Sequence, residues 1–295
     1  MVIKVGQMAS AFGSFPLRYD DRDNPLIDHP LSYTTQLPIR GDQLICNTGE
    51  LLQQSYGSVA GGCGGVPGRG PGLIPVTLYG LPGFEVEAAA KHYDLRTQIT
   101  MRSPSTSSHW TTRFSNLTST LGAGFKFRPG LRIGVSGFRG PYLDQSVASA
   151  LPSGADIRGY TAHGVGVDGQ WAQGRFSARA EWQHFQFGAP NFATPPSASF
   201  GYGELKTVLT PRFYVAARGG ALSTGSVTDA YGATAGSFAP SLTSLELGGG
   251  VWLSRQMLFK ASYGWLHTDG QTNNRNNVFG VQLVATIPSL NWAFR

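Results

Sequence analysis

Apolar and polar residues alternate along most of this chain, in segments of about ten residues. The segment 175–183, for example, sets Phe176 and Trp182 on one face against Arg179 on the other. A period of two is typical of β-strands in a sheet with one apolar and one wet side. About twelve strands are predicted, near residues 2–8, 83–91, 95–102, 117–128, 131–140, 160–171, 175–187, 200–209, 212–222, 242–253, 257–267 and 277–287.

Short turns join these segments in five pairs, and longer polar loops separate the pairs. The predicted turns are Tyr93-Asp94, Pro129-Gly130, Gln173-Gly174, Thr210-Pro211 and Ser254-Arg255-Gln256. A soluble β-sandwich would show the same alternation. The long strands, the alternating loop lengths and the aromatic residues near strand ends instead favour a transmembrane barrel. The sequence therefore predicts an all-β fold: an up-and-down antiparallel outer-membrane β-barrel, formed as a single domain by residues 1–295.

Residues 9–82 break the strand pattern and are rich in glycine and proline towards their end. A loop of this length in a compact domain is usually functional or disordered. It could fold inward and narrow the lumen, or cap the outer mouth. Cys46 and Cys63 both lie in it, and we expect them to form a disulfide in an oxidising compartment. The alternative is two unrelated thiols.

Several short motifs give the chain a family resemblance. They are Gly6-Gln7 leading to Ala11-Phe12-Gly13, then Asp23-Asn24-Pro25-Leu26 and His29-Pro30-Leu31-Ser32-Tyr33, and later Gly137-Phe138-Arg139-Gly140-Pro141-Tyr142 and Glu204-Leu205-Lys206. With them the chain resembles the phosphate-selective type of Gram-negative outer-membrane porin. Members begin with a signal peptide and further strands. The residues from Met1 show no such leader, so we expect the N-terminal part to be missing.

The charged residues indicate what should line the interior of the barrel. The chain has 23 Lys and Arg against 17 Asp and Glu, and no run of basic residues that would indicate nucleic-acid binding. A charge on the lipid face costs about 2–4 kcal/mol, so strand parity should turn these side chains into the lumen. Some will pair with a neighbouring charge on the same face, and Glu181 near Arg179 and Glu204 near Lys206 are the candidates. The predicted pore-lining residues are Arg102, Arg179, Lys206, Arg218, Lys260, Lys126 and Arg96. Their positive surplus favours anions.

Motifs for chemistry are weak. Residues 164–169 match G-x-G-x-x-G, but the strand continues through them instead of opening a helix. Glu181 and His184 have E-x-x-H spacing, which on a strand points them to opposite faces. We therefore expect no catalytic, cofactor or metal site. The expected function is a porin, a passive channel for small anionic solutes, with outer-membrane lipid and two further copies in a homotrimer as partners. The alternatives are a plugged or narrow barrel with a structural or surface-binding role, and an outer-membrane hydrolase.

Overall fold

Twelve antiparallel strands form one continuous sheet in the computed structural model, which describes residues 1–55, 63–65, 72–78, 80–105, 117–270 and 275–286. Each strand pairs with the next one along the chain, so the predicted meander is confirmed. The strands are β1 (Val2–Met8), β2 (Leu81–Ala89), β3 (Tyr93–Thr100), β4 (Thr118–Arg128), β5 (Leu131–Pro141), β6 (Thr161–Gln173), β7 (Phe176–Phe187), β8 (Ser197–Thr210), β9 (Phe213–Thr224), β10 (Leu242–Trp252), β11 (Met257–Thr268) and β12 (Arg275–Ala285).

The short turns all lie at one end of the sheet, here called the turn side, and the long loops lie at the other, the loop side. The turn at Pro129-Gly130 is confirmed, because Arg128 lies opposite Leu131. The predicted turn at Tyr93-Asp94 is wrong: both residues belong to β3, and the chain reverses at residues 90–92. Asp94 is held inside β3 because its carboxylate faces the lumen and binds Arg132 of β5.

Two further turns lie one residue later than predicted. Gln173 pairs with Phe176 and Thr210 pairs with Phe213, so the reversals are at residues 174–175 and 211–212. The last hairpin turns where predicted, between Trp252 and Leu258.

Short elements occupy the loops. The segment between β1 and β2, residues 9–80, is called loop 1. It contains the 3-10 helices Phe15–Arg18 and Leu31–Tyr33, the helix α1 (Thr48–Ser55) and a two-residue antiparallel pairing of Gln43–Leu44 with Gly64–Gly65. The loop between β5 and β6 has 3-10 helices at Gln145–Ala150 and Ile157–Gly159. A three-stranded sheet joins Phe192–Thr194, Val227–Asp229 and Thr234–Ala235. Within the described ranges, no helix has the length and apolar character needed to cross a membrane.

The two faces of the sheet differ as parity predicts. Large apolar side chains such as Val167, Trp182 and Leu205 remain exposed on the outer face. The residues between them point inward, where Glu181 and Glu204 are buried. A soluble protein would bury the apolar face, so this arrangement is that of a barrel wall in lipid.

Loop 1 lies against the inner face of the sheet. Its Ala11 lies beside Gly122 of β4, and its Ile27 lies beside Gly280 of β12, so the sheet curves around it. In the described residues β1 pairs only with β2, and β12 only with β11. The described part of loop 1 therefore packs against the inner face of the sheet, and its role in narrowing or capping the lumen stays a prediction.

An apolar core forms inside the sheet on the loop side. Phe12 of loop 1 makes edge contacts with Phe138 of β5 and Phe185 of β7, with ring centroids 5.0 and 5.5 Å apart. Phe12 and Phe15 are fully buried. At about 25 cal/mol per Å² of apolar surface, burying such side chains stabilises the docked position of loop 1.

Candidate functional site: the inner wall and loop 1

Glu181 of β7 is a buried carboxylate that binds the start of loop 1. It accepts hydrogen bonds from the backbone N–H of Ser14 (3.0 Å) and the hydroxyl of Tyr33 (3.1 Å), and from Tyr202 of β8 (3.0 Å). The amide of Gln183 adds a fourth donor at 2.8 Å. A buried carboxylate is tolerated when several donors satisfy it.

Gly13 lies where loop 1 closely approaches the wall. Its φ is +80°, a conformation that favours glycine. A Cβ at this position would collide with the carboxylate of Glu181 and the hydroxyl of Tyr33. The contact between loop 1 and β7 therefore requires glycine for both backbone and space.

Glu204 of β8 is shared by three guanidinium groups. Arg18 of loop 1 lies 2.9 Å from it, Arg218 of β9 lies 2.9 Å away and Arg179 of β7 lies 3.6 Å away. Arg218 is also 3.7 Å from Glu246 of β10. Three guanidinium groups therefore surround Glu204, and of these three only Arg179 keeps about a third of its side chain exposed.

The backbone of residues 21–28 is held by charged side chains of the wall. Lys260 of β11, with no exposed surface, donates to the carbonyl oxygens of Asp21 (2.8 Å), Asn24 (3.3 Å) and Leu26 (3.1 Å). Glu246 accepts from the N–H groups of residues 27 and 28, each at 3.1 Å.

Arg218 completes this attachment, donating to the side chain of Asn24 at 2.6 Å and the carbonyl of Asp28 at 2.7 Å. The wall charges thus satisfy backbone groups that have no strand or helix partner there.

Burial changes the titration of two loop 1 side chains. Burial raises the pKa of Tyr33 well above its usual value, and the nearby Glu181 carboxylate adds to the effect, so the hydroxyl stays a donor. Burial lowers the pKa of His29, and the positive charge of Arg218 lowers it further. His29 is therefore favoured as the neutral imidazole while loop 1 is docked.

A basic cavity of about 360 Å³ opens at the turn side of the same inner wall. Its wall includes Lys126 and Arg128 of β4 and Arg179 of β7, together with Arg132, Gln170 and Ser177. Among the described residues, no carboxylate lines it. Arg132 is paired with Asp94 and Asp168, whereas the side chain of Lys126 is 40% exposed and 3.9 Å from Asp94.

The predicted pore-lining residues fall into different settings. Arg179 and Lys206 face inward near the turn side, and the Lys206 ammonium lies 4.2 Å from the ring centre of Tyr214. Arg218 and Lys260 also face inward, but loop 1 covers them. Arg96 is buried and binds Glu85 at 3.0 Å.

Arg102 differs from the prediction. β3 ends at Thr100, so Arg102 lies in the following loop and not at mid-depth. The error follows from the misplaced first turn, which shifted the strand by two residues.

The predicted disulfide is present. Cys46 and Cys63 are bonded within loop 1, with Cα atoms 5.2 Å apart. The bond links a position two residues before α1 to the residue that precedes the Gly64–Gly65 strand, on the loop side as expected.

The two weak motifs have the structures expected of strands. Residues 164–169 lie within β6, and Glu181 points inward whereas His184 binds Ser199 on the outer face. Within the described residues, no group of three or more potential metal ligands comes together.

Sequence reasoning missed the apolar part of the interior. The inward positions of β7 run from Arg179 and Glu181 to Phe185 and Phe187. The same parity applied to the end of the strand would have shown an apolar interior on the loop side. Arg18 lies in loop 1, outside the segments with alternating apolar and polar residues, so nothing in the sequence indicated its ion pair with Glu204.

No protein-family model and no curated protein matches this chain. Among solved structures it is similar to OmpT, an outer membrane protein of Vibrio cholerae. The form expressed in the outer membrane is 10% identical with a TM-score of 0.55, covering 96% of this chain and 76% of that one. A loop L8 deletion mutant is 14% identical with a TM-score of 0.50, covering 69% of this chain and 62% of that one.

In the second of these alignments the chain spans less than two thirds of the length of its match. The outer membrane channel DcaP of Acinetobacter baumannii is 10% identical with a TM-score of 0.45, over 97% of this chain and 71% of that one. At such identities the likeness shows the fold alone. The chain has the β-barrel fold of Gram-negative outer-membrane proteins, as its sequence predicted.

Proposed function

We propose that this protein is an outer-membrane porin, a passive channel for small anionic solutes whose lumen loop 1 narrows from the loop side. The observation that carries the proposal is the basic, solvent-accessible wall beside loop 1. Arg179 is partly exposed there, and it shares Glu204 with Arg18 and Arg218. A surplus of fixed positive charge in a low-dielectric lumen lowers the entry barrier for anions.

The acids of the turn side support the same conclusion because they are already engaged. Asp94 and Asp168 both bind Arg132. One guanidinium balances only one of these two carboxylates, but the cavity wall also carries Lys126, Arg128 and Arg179, so the bases of this region outnumber its acids. The lumen near the short turns therefore presents a net positive surface to water.

A reversal potential across a salt gradient in a planar bilayer tests this function. The native channel should prefer anions, and the double variant Arg179→Gln with Lys206→Gln should shift the potential towards cations. Arg218 is a poorer choice for this test because it holds loop 1 through Asn24 and Asp28. Arg255→Gln, in an exposed turn between β10 and β11, is the matched control.

The shift should shrink at about 1 M salt, where the Debye length falls to about 3 Å. A native channel that prefers cations, or a double variant with the native potential at low salt, would contradict the proposal. By analogy with OmpT, one structure of which is titled as a trimer form, we propose a homotrimer as the assembly. Its mass in detergent tests that part.

A second function, a plugged barrel with a structural or surface-binding role, is favoured by the complete burial of Phe12, Phe15 and Lys260. A native protein without conductance would support it, provided that a variant with loop 1 displaced does conduct.

A further inference from the structure

The lipid-facing surface of β6 to β9 contains a recess near the short turns. Its floor is one cross-strand row of small residues on four adjacent strands. The row runs from Gly169 through Ala180 and Gly203 to Gly219, each paired with the next. With strands about 4.8 Å apart, this floor is about 14 Å wide.

Large apolar residues flank the recess. The row continues into Ile133 on β5 and Leu245 on β10. Trp171 and Leu205 lie below it, towards the turns, and Trp182 lies above it. The volume is about 580 Å³, and an adjoining recess of about 540 Å³ shares Trp171, Leu205 and Ala217 with it.

Two arginines lie at the turn ends of the same strands. Arg175 is in the turn between β6 and β7, and Arg212 is in the turn between β8 and β9; both are exposed. Arg175 donates to the carbonyl of Leu209 at 3.3 Å. In the described part of the chain, neither guanidinium has a carboxylate partner within ion-pair distance.

The distances suit one amphiphilic molecule. Arg175 is five residues from Ala180 of the floor, about 16 Å along the strand and about 13 Å in depth at a strand tilt of about 40°. Phe176 and Phe213 lie between the arginines and the recess, at the level where aromatic side chains mark a membrane interface. An anionic headgroup at the arginines would place its acyl chains in the recess, within the half-bilayer of about 15 Å.

We propose that this surface is a binding site for one glycerophospholipid. Its phosphate lies between Arg175 and Arg212, and its acyl chains fill the recess over Gly169 and Gly203. The short turns of such barrels face the periplasm, so the lipid belongs to that leaflet. An acyl chain restores the dispersion contacts that small side chains leave unmade.

Charge favours a lipid over a second copy of the chain on this surface. Another copy docked here would bring its own Arg175 and Arg212 to the same depth in the membrane. Like charges at that level repel, whereas a phosphodiester neutralises them and accepts their hydrogen bonds.

Native mass spectrometry of the full-length protein in detergent, titrated with phosphatidylglycerol, tests the site. The native protein should retain one lipid. Arg175→Gln with Arg212→Gln should weaken binding about 30-fold, since each basic residue near a membrane surface contributes on the order of 1 kcal/mol. Arg158→Gln, which neutralises an exposed arginine of the β5–β6 loop at the opposite end of the sheet, should bind as the native protein does.

A second variant tests the recess without changing charge. Gly203→Leu should fold, because a Cβ at Gly203 meets no atom within 4 Å. It should also lose the stoichiometric lipid, since its side chain occupies the recess.

Failure to retain one lipid in the native protein overturns the proposal, as does retention by both variants equal to that of Arg158→Gln. Efficient disulfide cross-linking between copies of Gly203→Cys in native membranes would also overturn it, because a second copy would then cover the recess. Conductance is not a readout here, so this test and that of the channel can fail independently.

Discussion

The two halves of the inner wall face the same lumen but have different chemistry, and β7 runs through both. On the turn side its inward positions are Ser177 and Arg179, beside an open basic cavity. On the loop side they are Phe185 and Phe187, buried against loop 1. An inward-facing side chain therefore contacts water only where loop 1 does not cover it.

Inward charges consequently have two different roles. Lys260 and Glu246 are buried and saturated by backbone groups of loop 1, so they hold a segment in place. Arg179 and Lys126 keep exposed surface, so their charge reaches the solution. Variants of the first set should change the docking of loop 1, and variants of the second set should change the ion selectivity of the channel.

The largest effect is expected from Lys260→Met. The substitution leaves three carbonyl oxygens of residues 21, 24 and 26 without their donor, and each buried polar group left unsatisfied costs about 1–3 kcal/mol. Loop 1 should be cleaved faster by protease, and single-channel conductance should rise. Lys126→Met, which removes an exposed ammonium from the turn side, is the control. Equal protease rates in the two variants would show that Lys260 does not hold loop 1.

A smaller loss of docking is expected from Gly13→Ala. The positive φ alone costs about 1–3 kcal/mol for alanine, and the collision with Glu181 and Tyr33 adds to it. Gly232→Ala is a matched control, because Gly232 has a φ of +87° but open space around its Cβ position. Hydrogen exchange of loop 1 should rise in the first variant only. The same rise in both would mean that the contact with Glu181 contributes nothing.

Acidification should loosen loop 1 through His29. Its pKa is lowered by burial and by Arg218, although Asp21 and Asp28 oppose the shift. The docked loop therefore favours the neutral imidazole. The contribution of neutral His29 to the stability of docking is complete above the usual histidine pKa of about 6.5, and it is lost as pH falls through the lowered pKa. Protease cleavage of loop 1 should accelerate between about pH 7 and pH 5, and less so in His29→Gln. An identical pH profile in the two proteins would exclude His29 as the cause.

The smallest effect is expected from Lys126→Gln on the turn side. The pair with Asp94 is long and partly exposed, so folding should change by no more than about 1 kcal/mol. The reversal potential should move slightly towards cations, and Lys126→Arg should keep the native value. Faster protease cleavage of loop 1 in Lys126→Gln would show that turn-side charges also hold loop 1, so that the two halves of the wall would not have separate roles.

Much of the wall could be predicted from local pattern. Alternation places Arg179, Arg218 and Lys260 inward because side-chain direction in a strand depends only on parity. The turn at Pro129-Gly130 could be found for a similar reason, since Gly130 has a φ of +82° in a tight hairpin. The turn near Asp94 could not, because the carboxylate's partner Arg132 is 38 residues away.

The sequence by itself determined the strand order, the two faces of the wall and the cysteine pair. Strand order and face depend on neighbouring residues, and two cysteines allow only one pairing within the chain. Only the tertiary structure decided which inward charges meet water. Lys260 binds the carbonyl of Asp21, 239 residues earlier in the chain. Arg18 binds Glu204 across 186 residues. Such contacts form only after the strands have assembled around loop 1, so no local pattern in the chain specifies them.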